Sequence, residues 1–175
     1  MGQLDALAGY LDALEQDLSQ VDTYVKSGNL MVDAVLNSKL SLARQKDIAL
    51  DCAAELPEQL SVSDVDLCVI LGNLLDNAVE ACEKIPPEGR FLRVYCAVVK
   101  HQLYLSVQNS AKEELDFDER NYISKKRGNH GLGMKRVKVL VDQYQGFLNL
   151  QNQPGIFAAE VLLPLTSPQS PCAHP

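Results

Sequence analysis

Asparagine is an uncommon choice inside a helix, yet the run Asn73-Leu74-Leu75-Asp76-Asn77-Ala78-Val79-Glu80-Ala81 contains two of them. Asn favours caps and turns, so two within a helix-forming stretch point to chemistry. Asn73, Asp76, Asn77 and Glu80 follow one another at intervals of three, one and three, which places all four on one helical face. A carboxamide oxygen can ligate Mg²⁺, and its NH₂ can donate to a phosphate. The second run is Gly128-Asn129-His130-Gly131-Leu132-Gly133-Met134, at the start of a helical stretch. Helix N-termini carry unpaired N–H groups and the positive dipole end, so they bind anions, and glycines let the backbone come close. Lys125, Lys126 and Arg127 precede this loop, and Lys135, Arg136 and Lys138 follow it, the densest basic cluster of the chain. No Gly-Lys-Ser/Thr follows, so it is not a Walker A loop. A long loop rather than a strand precedes it, which argues against a dinucleotide fingerprint.

Both runs must be positioned by the elements around them. Leu67, Ile70, Leu71, Leu74, Ala78 and Cys82 lie opposite the polar face and predict an amphipathic helix over Ser63–Lys84 that rests on a sheet. Ser63 or Asp64 is its N-cap, and Pro86-Pro87-Glu88-Gly89 stops it. Ile48, Leu50 and Cys52 share one parity and predict a short strand. Phe91–Val99 and Leu103–Asn109 form a hairpin across Lys100, His101 and Gln102, and residues 111–130 read as a long loop, of the kind that serves as a lid. A helix over Leu132–Tyr144 ends at Gly146, and Phe147–Gln151 with Ile156–Leu163 makes a second hairpin. Helices and antiparallel hairpins in this order predict an α/β two-layer sandwich, of the α+β kind. Upstream, Leu4, Leu7, Leu11, Leu14, Leu18, Val21 and Val25 alternate in steps of three and four, a heptad seam that asks for a partner helix. Ser27-Gly28-Asn29 interrupts it, and a second helix follows from Leu30 to Gln45. The expected organisation is a helical stalk over 1–45, a catalytic domain over 46–165 and a Pro- and Ser-rich tail over 166–175.

Together the two runs resemble the Bergerat-type ATP-binding fold of gyrase, the heat-shock chaperones, histidine kinases and mismatch-repair ATPases. Asn73–Glu80 looks like that family's N box, and His130–Met134 like its second glycine box, with the ATP lid between them. The closest likeness is to the peptide-pheromone quorum-sensing histidine kinases. It rests on Ser27-Gly28-Asn29 and Asp33-Ala34-Val35-Leu36-Asn37-Ser38-Lys39, and on Val107-Gln108-Asn109-Ser110 where an Asp-x-Gly-x-Gly box would stand. The resemblance implies that ATP and Mg²⁺ are bound, with Asn77 ligating the metal and Asn73 facing the phosphates. In the gyrase and chaperone ATPases a Glu stands at the place of Asn73 and activates water. A carboxamide is no general base, which favours phosphoryl transfer over hydrolysis. Asn109 would replace the Asp that contacts adenine, accepting through a neutral oxygen, so weak nucleotide affinity is expected; its other reading is a polar residue ending an edge strand. Gly131 and Gly133 would let the backbone of the loop, Leu132 and Met134 included, wrap the phosphates. His130 either contacts a phosphate or hinges the lid. One of Lys125, Lys126 and Arg127 reaches the γ-phosphate, with Lys126 and Arg127 the catalytic candidates beside Asn73. Glu80 stands where many histidine kinases carry Lys, which speaks against a phosphate role there.

The three histidines, His101, His130 and His174, lie outside the heptad helix, so the acceptor His of such a kinase is expected on a stalk helix upstream of Met1. The exposed seam is then expected to form a homodimer through Leu4–Val25. A response regulator would be the partner of the parent system. The alternative is a nucleotide-binding module of the same fold without kinase output, a pseudokinase or an anti-sigma-type regulator. The formal net charge of -7 disfavours nucleic acid as a partner. No apolar run is long enough to span a bilayer. The five cysteines lack metal or redox spacing and read as reduced thiols of a cytoplasmic protein, the cytoplasmic part of a membrane-bound sensor.

Overall fold

The computed structural model describes residues 23–112, 117–118, 123–124 and 132–166. The chain runs through α1 (Leu30–Gln45), β1 (Ala49–Glu55) and α2 (Asp64–Cys82). A single 3₁₀ turn at Pro87–Gly89 leads to the β2 (Phe91–Val99) and β3 (Gln102–Ser110) hairpin. The short strands β4 (Phe117–Asp118) and β5 (Ile123–Ser124), α3 (Leu132–Gln143), and the β6 (Phe147–Gln153) and β7 (Ile156–Pro164) hairpin complete it. Five strands form one sheet in the order β1-β2-β3-β7-β6, with β1 parallel to β2 and the other neighbours antiparallel. The antiparallel pair β4–β5 lies within the stretch expected to be loop throughout.

Alternation decides which face of the sheet is covered. Leu92, Val94 and Cys96 of β2 and Leu103, Leu105 and Val107 of β3 are buried, while Arg93 and Tyr95 between them are exposed. The buried row meets α2, which packs on β2 and β3 with α1 on one flank and α3 on the other. The apolar face of α2 read from the sequence is buried throughout, joined by Leu75 and Val79. Its N-cap is Ser63, whose hydroxyl accepts from the backbone N–H of Asp66 at 3.2 Å. The two-layer sandwich expected from the element order is therefore present.

Two further expectations change. The β2–β3 turn has two residues, not three: Lys100 and His101 both take positive φ (48° and 61°), and Gln102 already pairs with Val99. That is the backbone twist a tight hairpin needs, carried here by residues other than the usual Asn-Gly. At the end of α3 the left-handed residue is Gln145 (φ 54°), not Gly146. Gly146 is required for space, since a Cβ there would lie 2.4 Å from the carbonyl oxygen of Leu162.

The last helix of the expected stalk, α1, packs into the same core as the elements that follow it. Val32, Leu36, Leu40 and Ala43 of α1 belong to the same buried cluster as α2 and the sheet. Val25, expected on the helical seam, lies outside any helix and is also buried there. The leading segment is tied down by side chains of α1. The Asn37 carboxamide accepts from the N–H groups of Tyr24 and Val25 at 2.8 and 3.0 Å and donates to the Val25 carbonyl at 2.9 Å. An Asp33 oxygen accepts from Ser27 N–H at 2.7 Å. Gly28 (φ 103°) passes so close to Leu56 that a Cβ would lie 2.5 Å from its carbonyl oxygen. The remaining seam residues, Leu4 to Val21, fall outside the described residues.

Candidate nucleotide site

The two chemical runs converge where α2 passes the start of α3. A Cβ on Gly133 would lie 2.7 Å from Oδ1 of Asn73, so a side chain there would push the carboxamide off the α3 backbone on which it rests. The other end of Asn73 donates to the carbonyl of Val69 at 2.6 Å, which fixes the amide with its oxygen toward α3. Asn77, one turn further along α2, is half-buried. Leu132, the first residue of α3, is exposed, whereas the Met134 side chain is buried in the core, which leaves only its backbone to face a ligand. Lys125, Lys126, Arg127, His130 and Gly131 lie outside the described residues.

The four polar residues of the N-box helix do not act as one row. Asp76, at one edge of the face, is drawn to α1, where Lys39 Nζ meets its carboxylate at 2.5 Å. Asn73 at the other edge leans toward α3. A second pair, Lys46–Glu83 at 2.7 Å, ties α1 to the end of α2. Both pairs are partly exposed and hold direction more than they add stability. α3 is anchored at its far end as well. The Tyr144 hydroxyl donates to Asp66 at 2.5 Å and accepts from Ser63 N–H at 3.2 Å, pinning the end of α3 to the beginning of α2. The sequence carried no periodic signal for these ties, because each joins residues far apart in the chain.

Asn109 sits on the helix-facing row of β3, beyond Leu105 and Val107, and is only 2% exposed. It is a buried polar residue within the sheet, paired on both sides by Leu92 and Phe157, so the edge-strand reading does not hold. Its Nδ2 donates to the Ser110 carbonyl at 2.9 Å. Ser110 is buried too, and its hydroxyl accepts from Phe91 N–H at 3.1 Å and lies 3.4 Å from the Cys82 sulfur. Cys82 also reaches the Phe91 carbonyl at 3.3 Å. The end of β3, the start of β2 and the last turn of α2 thus meet in one polar knot. Burial raises the Cys82 thiol pKa, partly offset by hydrogen bonds to Ser110 and Phe91 and by the Arg90 charge.

The residues present fit a nucleotide with Mg²⁺. Gly133 in the first turn of α3 faces one carboxamide, a second carboxamide follows a turn away on α2, and a buried amide stands at the sheet end. Among the described residues no group of three or more His, Cys, Asp or Glu is placed to hold a metal ion. A separate cavity of about 870 Å³ lies between Tyr24–Lys26 and the ends of β1 and β2, and none of the candidate residues lines it. No described helix is long and apolar enough to cross a membrane.

The fold is a five-stranded mixed sheet with its helices packed on one face, the start of α3 resting against α2. Residues 62–164 match the family described as the GHKL domain, and the chain belongs to that family. Among characterised relatives, the sensor protein EvgS of Escherichia coli (strain K12) is 29% identical over 136 residues, covering 72% of this chain and 11% of EvgS. The chain therefore spans a small part of that relative's length. Of solved structures, the nucleotide-free catalytic domain of histidine kinase ThkA superposes with a TM-score of 0.63 at 18% identity, over 79% of this chain and 93% of that one. The mycobacterial sensor histidine kinase MprB gives 0.57 at 20% identity, over 77% and 96%. Full-length ShkA in complex with AMPPNP gives 0.63 at 20% identity, over 81% and 30%. At these identities the likeness establishes the shared fold.

Proposed function

We propose that this chain is the ATP-binding catalytic domain of a sensor histidine kinase, which transfers the γ-phosphoryl group of ATP to a His on a stalk helix. The observation that carries this reading is the close seat of Gly133 on the Asn73 amide, which brings the two chemical runs together. Asn77 holds the Mg²⁺ of the nucleotide, and the α3 start faces the phosphates with backbone N–H groups. Asn109 receives the base. When bound, Mg-ATP supplies the phosphoryl group. Asn73 lacks the basicity to activate water, so the site favours transfer to a positioned nucleophile over hydrolysis. His101, on the β2–β3 turn, is not placed to be that nucleophile. Within the kinases, the Ser27–Lys39 motif and Asn109 support a place among the peptide-pheromone quorum-sensing group. The parent would be a membrane-bound sensor with a cytoplasmic catalytic part, dimeric through the upstream helix and served by a response regulator.

Titration of Mg-ATP against the chain and its Asn77→Ala variant tests the site. The variant should lose binding while keeping its thermal unfolding; unchanged binding would sink the assignment. Mixing the chain with a dimeric stalk bearing the acceptor His and labelled ATP tests the kinase. Acid-labile label should appear on the stalk and not on the chain. Binding without transfer would favour the alternative, a nucleotide module of the same fold without kinase output.

A further inference from the structure

Asn109 presents an unusual balance of satisfied and unsatisfied polarity. Its NH₂ is engaged by the Ser110 carbonyl at 2.9 Å, yet among the described residues its Oδ1 accepts no hydrogen bond, although the residue is only 2% exposed. A buried carboxamide oxygen without a donor is costly and marks a place where a ligand donor belongs. The orientation of the amide is set by chemistry. A carbonyl oxygen can only accept, so the Asn109 group facing Ser110 O must be the NH₂, and the oxygen must point the other way.

Ser110 is held from three sides. Its hydroxyl accepts from Phe91 N–H at 3.1 Å, the Cys82 thiol lies 3.4 Å from that hydroxyl and 3.8 Å from the Ser110 carbonyl, and the Phe91 carbonyl takes the thiol at 3.3 Å. The alternation of β3 breaks at this point, since Asn109 and Ser110 are consecutive and both buried. This knot joins the strand end to the last turn of α2 and places the Cys82 sulfur beside the Ser110 carbonyl that holds the Asn109 amide.

We propose that Cys82 and Ser110 are positioning residues for nucleobase choice, which lock Asn109 as an acceptor only. The inference rests on the reading that Asn109 faces the base. An acceptor-only group takes a purine with a 6-amino donor and opposes one with a 6-oxo acceptor. Without the knot the amide can rotate and offer its NH₂, so the discrimination relaxes. A role confined to packing would instead weaken both nucleotides together.

The test is titration of the full chain with Mg-ATP and Mg-ITP, which carry a 6-amino group beside an N1 acceptor and a 6-oxo group beside an N1–H, for the parent and for Cys82→Val, Ser110→Ala and Asn109→Ala. The parent should prefer ATP. Cys82→Val and Ser110→Ala should each lower the ATP-to-ITP affinity ratio by about five-fold, the scale of one net hydrogen bond, with ITP binding unchanged or tighter. An unchanged ratio in both variants, or equal weakening of both nucleotides, overturns the proposal while leaving Asn109 in contact with the base. If Asn109→Ala keeps the parent's ratio, the reading of Asn109 itself fails. Circular dichroism on each variant establishes that the folded chain is what is titrated, and the two variants remove the knot from opposite sides.

Discussion

Carboxamides, not carboxylates, carry the described part of the candidate site. Asn73, Asn77 and Asn109 keep one charge state across the working pH range, so their contacts do not titrate. Two thiols with strongly raised pKa values, Cys52 and Cys96, lie away from the site. Burial, with the Asp51 charge adding to it, pushes the Cys52 thiol up from 9.0 to about 11. Burial and the neighbouring Cys52 push Cys96 up to about 12. A raised pKa means that the folded chain holds its proton more tightly than the unfolded one. Below pH 9 both states are protonated and this contribution is fully present. Above it the unfolded thiols ionise first, and stability falls as pH rises toward 11–12. Melting temperature followed from pH 8 to 11 should decline less steeply for Cys52→Ala/Cys96→Ala than for the parent. Equal slopes would mean that these thiols do not contribute. At this scale the sequence was legible where a residue type was out of place, as with two asparagines inside a helix. Cys82 and Ser110 were not legible, because a thiol on an apolar helical row looks like any core residue until its neighbours are known.

The elements act through two glycines that sit on packed neighbours for different reasons. Gly133 faces the end of a side chain, Asn73 Oδ1, at 2.7 Å from where its Cβ would be. Gly146 faces backbone, the Leu162 carbonyl oxygen at 2.4 Å, with the Leu163 side chain at 2.7 Å. A side-chain amide can swing aside; a strand in the middle of a hairpin cannot. Gly133→Ala should therefore keep most of its stability but lose nucleotide affinity, because the displaced amide no longer meets the phosphates. Gly146→Ala should lose about 1–3 kcal/mol of stability, the usual cost of overpacking, with nucleotide affinity little changed in the folded fraction. Urea unfolding and Mg-ATP titration of both variants separate the two outcomes, and a reversed pattern would refute the assignment of Gly133 to the site. The sequence identified Gly146 only as a helix stop, since the carbonyl that excludes a Cβ comes from a strand 16 residues later. Helices and hairpins were legible because their apolar periods of 3.6 and 2 are local. The β4–β5 pair was not, because two-residue strands hold no period.

For the molecule as a whole, the question is where the cooperative unit begins. A sequence boundary at 46 followed the end of a helical pattern, but a helix can end without a domain ending. The α1 face of Val32, Leu36, Leu40 and Ala43 is buried against α2, and each is at most 1% exposed. Lys39–Asp76 and Lys46–Glu83 tie the same two helices at their surface. Removing α1 would expose the flank of α2, the helix that carries Asn73 and Asn77. Burial of Val32, Leu36 and Leu40 contributes about 2 kcal/mol each. The loss of those three, with the uncovered partners in α2, is comparable to the roughly 5–15 kcal/mol that holds an ordinary domain folded. A fragment of residues 46–166 should therefore fail to unfold cooperatively and should not bind Mg-ATP. One of residues 23–166 should do both, since it retains the Asn37 and Asp33 bonds that tie down Tyr24 to Ser27. A point variant makes the same case within the intact chain: Leu36→Ala should cost about 2–5 kcal/mol in urea unfolding, as for a fully buried leucine. If the 46–166 fragment melts sharply and binds nucleotide like the full chain, α1 belongs to the upstream helical part and the core ends at β1.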